Sequence, residues 1–285
     1  MEKIFRIENT FGINLDHTFD CGQCFRFDRV EDSKFDAEYH GVAYGRAVSF
    51  AQKGGELYII GADEEDFDRL WRHYLSLDED YSAIHSQLLS LSQNEALHRA
   101  VDYGKGIRIL RQEPWEAVCS FIISQNNNIP RIKGLIRAIS EAAGERISDG
   151  VYAFPTAEAV LSLGVEGLRA LKMGFRAPYI IDAAQKAVSG ELDFEEISAL
   201  PTKDAEKALC AVKGIGPKVA DCALLFGFSK YDAFPVDVWM KRVIEKYFDA
   251  DFLPASLGEY AGIAQQVLFY YERWVEAGVA VQTHR

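Results

Sequence analysis

The sequence predicts an α+β fold, an antiparallel sheet first and a helical body after it. Two observations carry this. Residues 1–62 place apolar side chains at strand spacing between turn residues, and from residue 63 the apolar period becomes helical. The chain of 285 residues is 48% apolar, enough for a sizeable core, and shows no repeat or low-complexity segment.

Each element has a local reason. Residues 3–8 alternate, and 22–30 hold Phe25 and Phe27 two apart. Residues 42–51 and 56–61 flank Lys53-Gly54-Gly55, which reads as a hairpin turn. Asp63 can cap a helix that carries Phe67, Leu70, Trp71 and Tyr74 at i, i+3, i+4, i+7 spacing. Further helices fit 80–90, 94–103, 114–125, 129–143, 156–163, 178–189, 203–212, 217–228, 236–248 and 257–275. We expect a β-rich domain over 1–100 and a helical domain over 101–285.

Composition sets limits on function. No stretch is long and apolar enough for a transmembrane helix, and MEKIFRIENT has no signal-peptide core, so a soluble cytoplasmic protein is expected. The five cysteines are an odd, scattered set, which argues against a disulfide framework. Cys21-x-x-Cys24 lacks a second pair for a metal, and the two read as small, partly buried side chains. No four-cysteine run follows residue 237, which argues against an iron–sulfur cluster. The net charge of −12 speaks against nucleic acid at first sight. However, residues 1–100 hold 19 acidic and 10 basic residues, so most of that charge lies there and the rest is near neutral. A local basic face or backbone amides would still serve DNA, with a shallow salt dependence.

The most informative segment is LCAVKGIGPKVADCALLFGFSKYDAFPVDVWM (209–240). It reads as helix, tight turn, helix. Gly214 and Gly216 permit the turn, and Pro217 suits the first turn of the next helix, where a missing N–H costs nothing. The uncovered N–H groups there can bind phosphate without reading sequence. Taken alone, the two glycines favour an ordinary helix–helix turn. Lys218 lies in the first turn, where the dipole disfavours a cation and so favours the free, nucleophilic amine. Asp237, between Val236 and Val238 after Pro235, reads either as a helix cap or as a reactive carboxylate in low dielectric.

Together these residues resemble the helix–hairpin–helix, Gly/Pro…Asp DNA glycosylase superfamily. LCxxxGxGxKVADC…VPVDV is similar to its 8-oxoguanine DNA glycosylase branch. SFIISQNNNIPRI (120–132) resembles that family's SFIxSxNNNIxRI, and KMGFRAPYI (172–180) its LGxRAxYI. CGQCFRF (21–27) resembles GQxFRW, and AGIAQQVLF (261–269) resembles AGWAQAVLF.

The resemblance implies a bifunctional glycosylase and abasic-site lyase that acts on double-stranded DNA containing 8-oxoguanine, as a monomer and without a required cofactor. Lys218 matches the nucleophile that attacks the sugar C1′, and Asp237 the carboxylate that stabilises positive charge on the sugar. Phe269 would stack on the flipped base, Gln265 would bond its pairing edge, and Cys222 would line the opposite face. Gln265 and Phe269, at i and i+4, can share one pocket. Gly22 would accept from the N7–H that 8-oxoguanine has and guanine lacks. Asn126 would fill the vacated space, Arg131 and Arg176 would bond the orphaned cytosine, and Phe175 would wedge the kinked helix. Gly214, Gly216 and Val219 would meet the DNA backbone. The carbonyls of Cys210, Val212 and Ile215 match positions that hold a structural cation when DNA is bound.

This chain departs from the family at Trp239, where His is common and where the indole N–H can donate without charge. Cys24, Phe27 and Tyr270-Tyr271-Glu272 also differ. Two other readings have less support. A glycosylase for alkylated or mismatched bases would not need Lys218. A DNA-binding module without chemistry would leave Asp237, Gln265 and Phe269 without a task.

Overall fold

A computed structural model describes residues 3–273. Five antiparallel strands form the N-terminal sheet: β1 Ile4–Glu8, β2 Phe27–Arg29, β3 Ala37–Ala43, β4 Arg46–Lys53 and β5 Glu56–Ile60, in the order β1-β5-β4-β3-β2. The turn at Gly54-Gly55 is as expected, joining Lys53 to its register partner Glu56. Residues 42–51 are not one strand. Ala43 pairs with Arg46 across a second two-residue turn, Tyr44-Gly45, with both residues in the left-handed region. Tyr44 hides this turn from a sequence reading, because only its partner is a turn residue. Between β1 and β2 lies α1 Leu15–Phe19, also unforeseen, capped by Asn14. The strand expected over 22–30 shrinks to β2, and residues 20–26 are irregular.

Asp63 caps the next helix, its carboxylate accepting from the Asp66 N–H at 3.0 Å. That helix runs through α2 Glu64–Asp66, a π-turn at Phe67–Trp71, and α3 Arg72–Tyr74. Phe67, Trp71 and Tyr74 are buried as their spacing predicts. The body follows with α4 Tyr81–Leu91, α5 Glu95–Tyr103, α6 Pro114–Ser124, α7 Ile129–Ala143, the small hairpin β6 Arg146–Ser148 and β7 Val151–Tyr152, and α8 Ala157–Ala170. The helix expected over 156–163 ends where expected, because Gly164 breaks it at φ 62°, and a second helical stretch runs on to Ala170. Then come α9 Ala177–Ser189, α10 Phe194–Ala199, α11 Thr202–Cys210, α12 Pro217–Gly227, α13 Val238–Tyr247 and α14 Ala261–Tyr271. Among these only α10 was unforeseen. The expected helix over 257–275 begins as a 3-10 turn, Pro254–Tyr260, and its last two residues lie outside the described chain.

Two cores organise the molecule. One lies under the sheet and gathers Phe19, Phe27, Tyr39, Phe50, Trp71 and Tyr74. The other fills the helical body and includes Ile84, Leu97 and Val101. Helices α4 and α5 therefore pack with the body, while the core under the sheet runs to Leu77 and also takes in Leu110. The irregular loop after α1 runs between the cores, with Cys21 in the helical one and Cys24 in the other. Both thiols are buried, at 1% and 4% exposure, more fully than the sequence suggests.

Candidate active site

The hairpin between α11 and α12 forms as the sequence predicts. Gly214 has φ +81°, and a Cβ there would lie 2.2 Å from the Tyr179 ring, so only glycine fits. The Lys213 N–H donates to Asp182 at 2.7 Å, tying the turn to α9. Gly216 is the N-cap of α12, with no side-chain cap, and Pro217 opens the helix. Nothing would touch a Cβ at Gly216, so this helix start is open. The N–H groups of Gly214 and Gly216 have no acceptor among the described residues. Val219 differs from its assignment. Its side chain is buried and its N–H already donates to the Gly216 carbonyl at 3.0 Å, because the first turn of α12 closes tightly.

The hairpin sends Lys218 into a cleft of about 1350 Å³, which Asp237, Cys222, Gln265, Phe269 and Gly22 also line. Asp237 is the N-cap of α13, and its Oδ1 accepts from the Met240 N–H at 2.8 Å. Asp237 is therefore a helix cap, as one of its two readings has it, and it also lines the cleft. Burial pushes the Cys222 thiol up to about 11, the nearby Lys218 ammonium works against this, and Asp237 adds to it. Cys222 thus senses both charges.

Helix α14 brings Gln265 and Phe269 to the same cleft, as i, i+4 spacing requires. Gln265 is 5% exposed, and its Oε1 has no hydrogen-bond partner among the described residues. An unmade buried hydrogen bond costs about 1–3 kcal/mol, so this oxygen is suited to a donor from outside. Gly22 faces Phe269, whose ring would lie 3.9 Å from a Cβ at that position.

The other end of the cleft belongs to the loop before α7 and the 3-10 turn Gly174–Arg176. Asn126 is exposed, with φ 53°, a conformation asparagine tolerates. Phe175 is 50% exposed, so it is no core aromatic. Arg131 is exposed. Arg176, paired with Arg131 in the sequence reading, is buried. Its Nε donates to the Gln125 carbonyl at 2.9 Å and its Nη2 to the Asn126 carbonyl at 3.2 Å. In this state it holds the Asn126 loop rather than facing outward. Burial lowers its basicity first, and Arg131 adds to this.

Arg273, Val238 and Lys241 are among the cleft residues outside the sequence reading. Arg273 lies one helical turn beyond Phe269, with its guanidinium 5.8 Å from that ring. The i, i+4, i+8 pattern from Gln265 was the signal that could have found it. Val238 is 64% exposed at the cleft, and Lys241 lines the cleft one turn beyond Asp237. Beside them, the Arg242 guanidinium sits over the Trp239 ring at 5.4 Å, so a positive charge stands next to the uncharged indole. The described residues lining the cleft include the cations Arg131, Arg176, Lys218, Lys241 and Arg273, against Asp237 as their one carboxylate. A chain of net charge −12 therefore has a locally cationic groove.

Residues 5–118 match the N-terminal domain of 8-oxoguanine DNA glycosylase, and residues 119–253 match the HhH-GPD superfamily of base excision DNA repair proteins. The structure of MBOgg1 in complex with a low-affinity DNA ligand is 38% identical, with TM-score 0.87 over 98% of this chain and 99% of that one. The 8-oxoguanine glycosylase/lyase of Clostridium acetobutylicum, solved with double-stranded DNA containing cytosine opposite 8-oxoguanine, is 37% identical, with TM-score 0.87 and the same coverage. An N-glycosylase/DNA lyase of Saccharomyces cerevisiae is 40% identical over 157 residues, 50% of this chain and 42% of that protein. With this likeness over nearly its whole length, and the hairpin, lysine and aspartate at one cleft, the chain belongs to the 8-oxoguanine DNA glycosylase family of the HhH-GPD superfamily.

Proposed function

We propose that the protein excises 8-oxoguanine from double-stranded DNA and then cleaves the strand, with Lys218 as nucleophile. The observation that carries this is the buried, unpartnered Oε1 of Gln265 in the cleft that also holds Lys218 and Asp237. A flipped purine brings N–H donors on its pairing edge, and an acceptor fixed beside a nucleophile meets that requirement.

The free amine of Lys218 attacks C1′ as the bond from C1′ to the base breaks. The departing base takes the electron pair and a proton. Asp237 faces the positive charge that develops on the sugar. Ring opening leaves an iminium on Lys218, loss of a C2′ proton expels the 3′ phosphate, and the strand is nicked. Phe269 and Cys222 sandwich the base, and Gly22 accepts from N7–H. Arg131 and Asn126 serve the orphaned cytosine, joined by Arg176 if it exchanges its loop carbonyls for the base. Phe175 wedges the duplex. The N–H groups of Gly214 and Gly216 meet phosphate, and Trp239 donates with Arg242 beside it.

The hairpin carbonyls of Cys210, Val212 and Ile215 suit a hard cation, which takes oxygen ligands. The Val212 carbonyl already accepts from the Ile215 N–H at 3.0 Å, which leaves it a second lone pair. Such an ion would bridge the turn to phosphate when DNA binds.

Borohydride reduction tests the assignment. The wild-type protein should become covalently linked to duplex DNA carrying 8-oxoguanine opposite cytosine, and Lys218→Gln should not. Trapping by Lys218→Gln at the wild-type level would remove the lysine from the mechanism.

A further inference from the structure

The loop that carries Gly22 has no strand or helix to set its direction. Glycine populates positive and negative φ about equally, so a peptide beside it flips easily. Here Gly22 sits at φ +78°, and the carbonyls on either side are both held. The Cys21 carbonyl accepts from Gln266 Nε2 at 2.8 Å, a contact between residues 245 apart in sequence. The Gln23 carbonyl accepts from Gln112 Nε2 at 2.7 Å. Gln266 is 2% exposed and Gln112 is 7% exposed, so neither bond is open to water. The Gln23 side chain adds bonds to the carbonyls of Thr18 and Arg108 and from the Leu110 N–H, each at 2.8 Å.

The carbonyl between the two anchored ones behaves differently. Gly22 is partly exposed at the cleft, and its oxygen accepts no hydrogen bond among the described residues. Gln266 follows Gln265 on α14, so one helix positions both the base-edge acceptor and the Gly22 loop. In the AGIAQQVLF block the second glutamine stands where the family's AGWAQAVLF has alanine.

We propose that Gln266 and Gln112 are positioning residues for base selection. Gln266 fixes the peptide before Gly22 and Gln112 the peptide after Gln23, so the Gly22–Gln23 peptide between these two anchors holds its carbonyl toward the base pocket, where it selects a purine with an N–H donor at N7. This rests on the function proposed above.

The test compares two reactions of the full-length protein: release of 8-oxoguanine, and cleavage of DNA with a preformed abasic site, which needs Lys218 but no base pocket. Gln266→Met keeps the length and loses the donor. It should lower base release about tenfold, the worth of one buried hydrogen bond, while abasic cleavage stays within about twofold. Gln112→Met loosens the same loop from outside α14 and should split the two reactions in the same direction. Abasic cleavage also reports folding. An unchanged ratio in both variants, or equal loss of both reactions in both, overturns the proposal. Wild-type protein that cleaves abasic DNA but releases no 8-oxoguanine would instead overturn the functional reading beneath it.

Discussion

At the residue scale, Asp237 combines an observed helix cap with the charge proposed for the chemistry. Its Oδ1 caps α13, so charge and cap can be separated by the choice of substitution. Asn caps a helix as well as Asp does, whereas Ala loses about 1 kcal/mol. Asp237→Asn should keep its melting temperature and DNA affinity near wild type while base release falls about 10²- to 10³-fold, the range seen when one electrostatic stabiliser is removed. Single-turnover kinetics beside a binding titration would check this. Loss of affinity in step with the rate would give Asp237 a structural role only. Trp239 and Arg242 show a different lesson. The charge missing from the indole is present one helical turn later, which is invisible when positions are matched one at a time.

At the element scale, the hairpin glycines have separable roles. Gly214→Ala places a Cβ 2.2 Å from Tyr179 at φ +81°, so it should destabilise the fold by more than about 1 kcal/mol, measured by urea unfolding. Gly216→Ala meets open space and should change stability by less than about 0.5 kcal/mol. Its methyl would nonetheless stand where phosphate must approach, so affinity for undamaged duplex should fall. Equal stability losses in the two variants would contradict this division. The glycines were legible from sequence because a sharp turn before a helix demands them. The role of Tyr179 was not, since it comes from α9, more than 30 residues earlier.

At the scale of the whole molecule, sheet and body are joined through a buried ion pair. Arg26 lies four residues after Gly22 and meets Glu116 of α6 at 3.4 Å, with both side chains about 10% exposed. Arg26 also donates to the Tyr152 carbonyl of the β6–β7 hairpin. Burial is the main influence on Glu116 and raises it to about 7, only partly opposed by Arg26. A carboxyl with a higher pKa folded than unfolded binds its proton more tightly in the native state. Its contribution is complete below about 4.5 and is lost as pH rises through about 7, a change of about 3 kcal/mol at most. Glu116→Gln should therefore flatten the fall in stability between pH 5 and 8, checked by thermal melts across that range against wild type. A wild-type profile without that fall would argue that the pair stays ionised. Charge also needs this scale: an acidic chain acquires a cationic groove because Arg131, Arg176, Lys218, Lys241 and Arg273 come from five elements that converge on one cleft.

The sequence by itself determined the α+β class, most of the helices, the hairpin and the pairing of Gln265 with Phe269. These rest on local physics: helical period, caps, turn residues and i, i+4 spacing act over a few residues. The lysine and aspartate proposed for the chemistry were legible because a family pattern preserves their spacing. Tertiary structure alone decided where the two cores divide, that Arg176 holds a loop, and that Arg273 and Lys241 reach the cleft. It also decided that Gln266 and Gln112 hold the peptides around Gly22. The Arg176, Gln112 and Gln266 bonds join segments 50 to 245 residues apart, and the hydrogen bonds of an irregular loop leave no periodic trace in the chain.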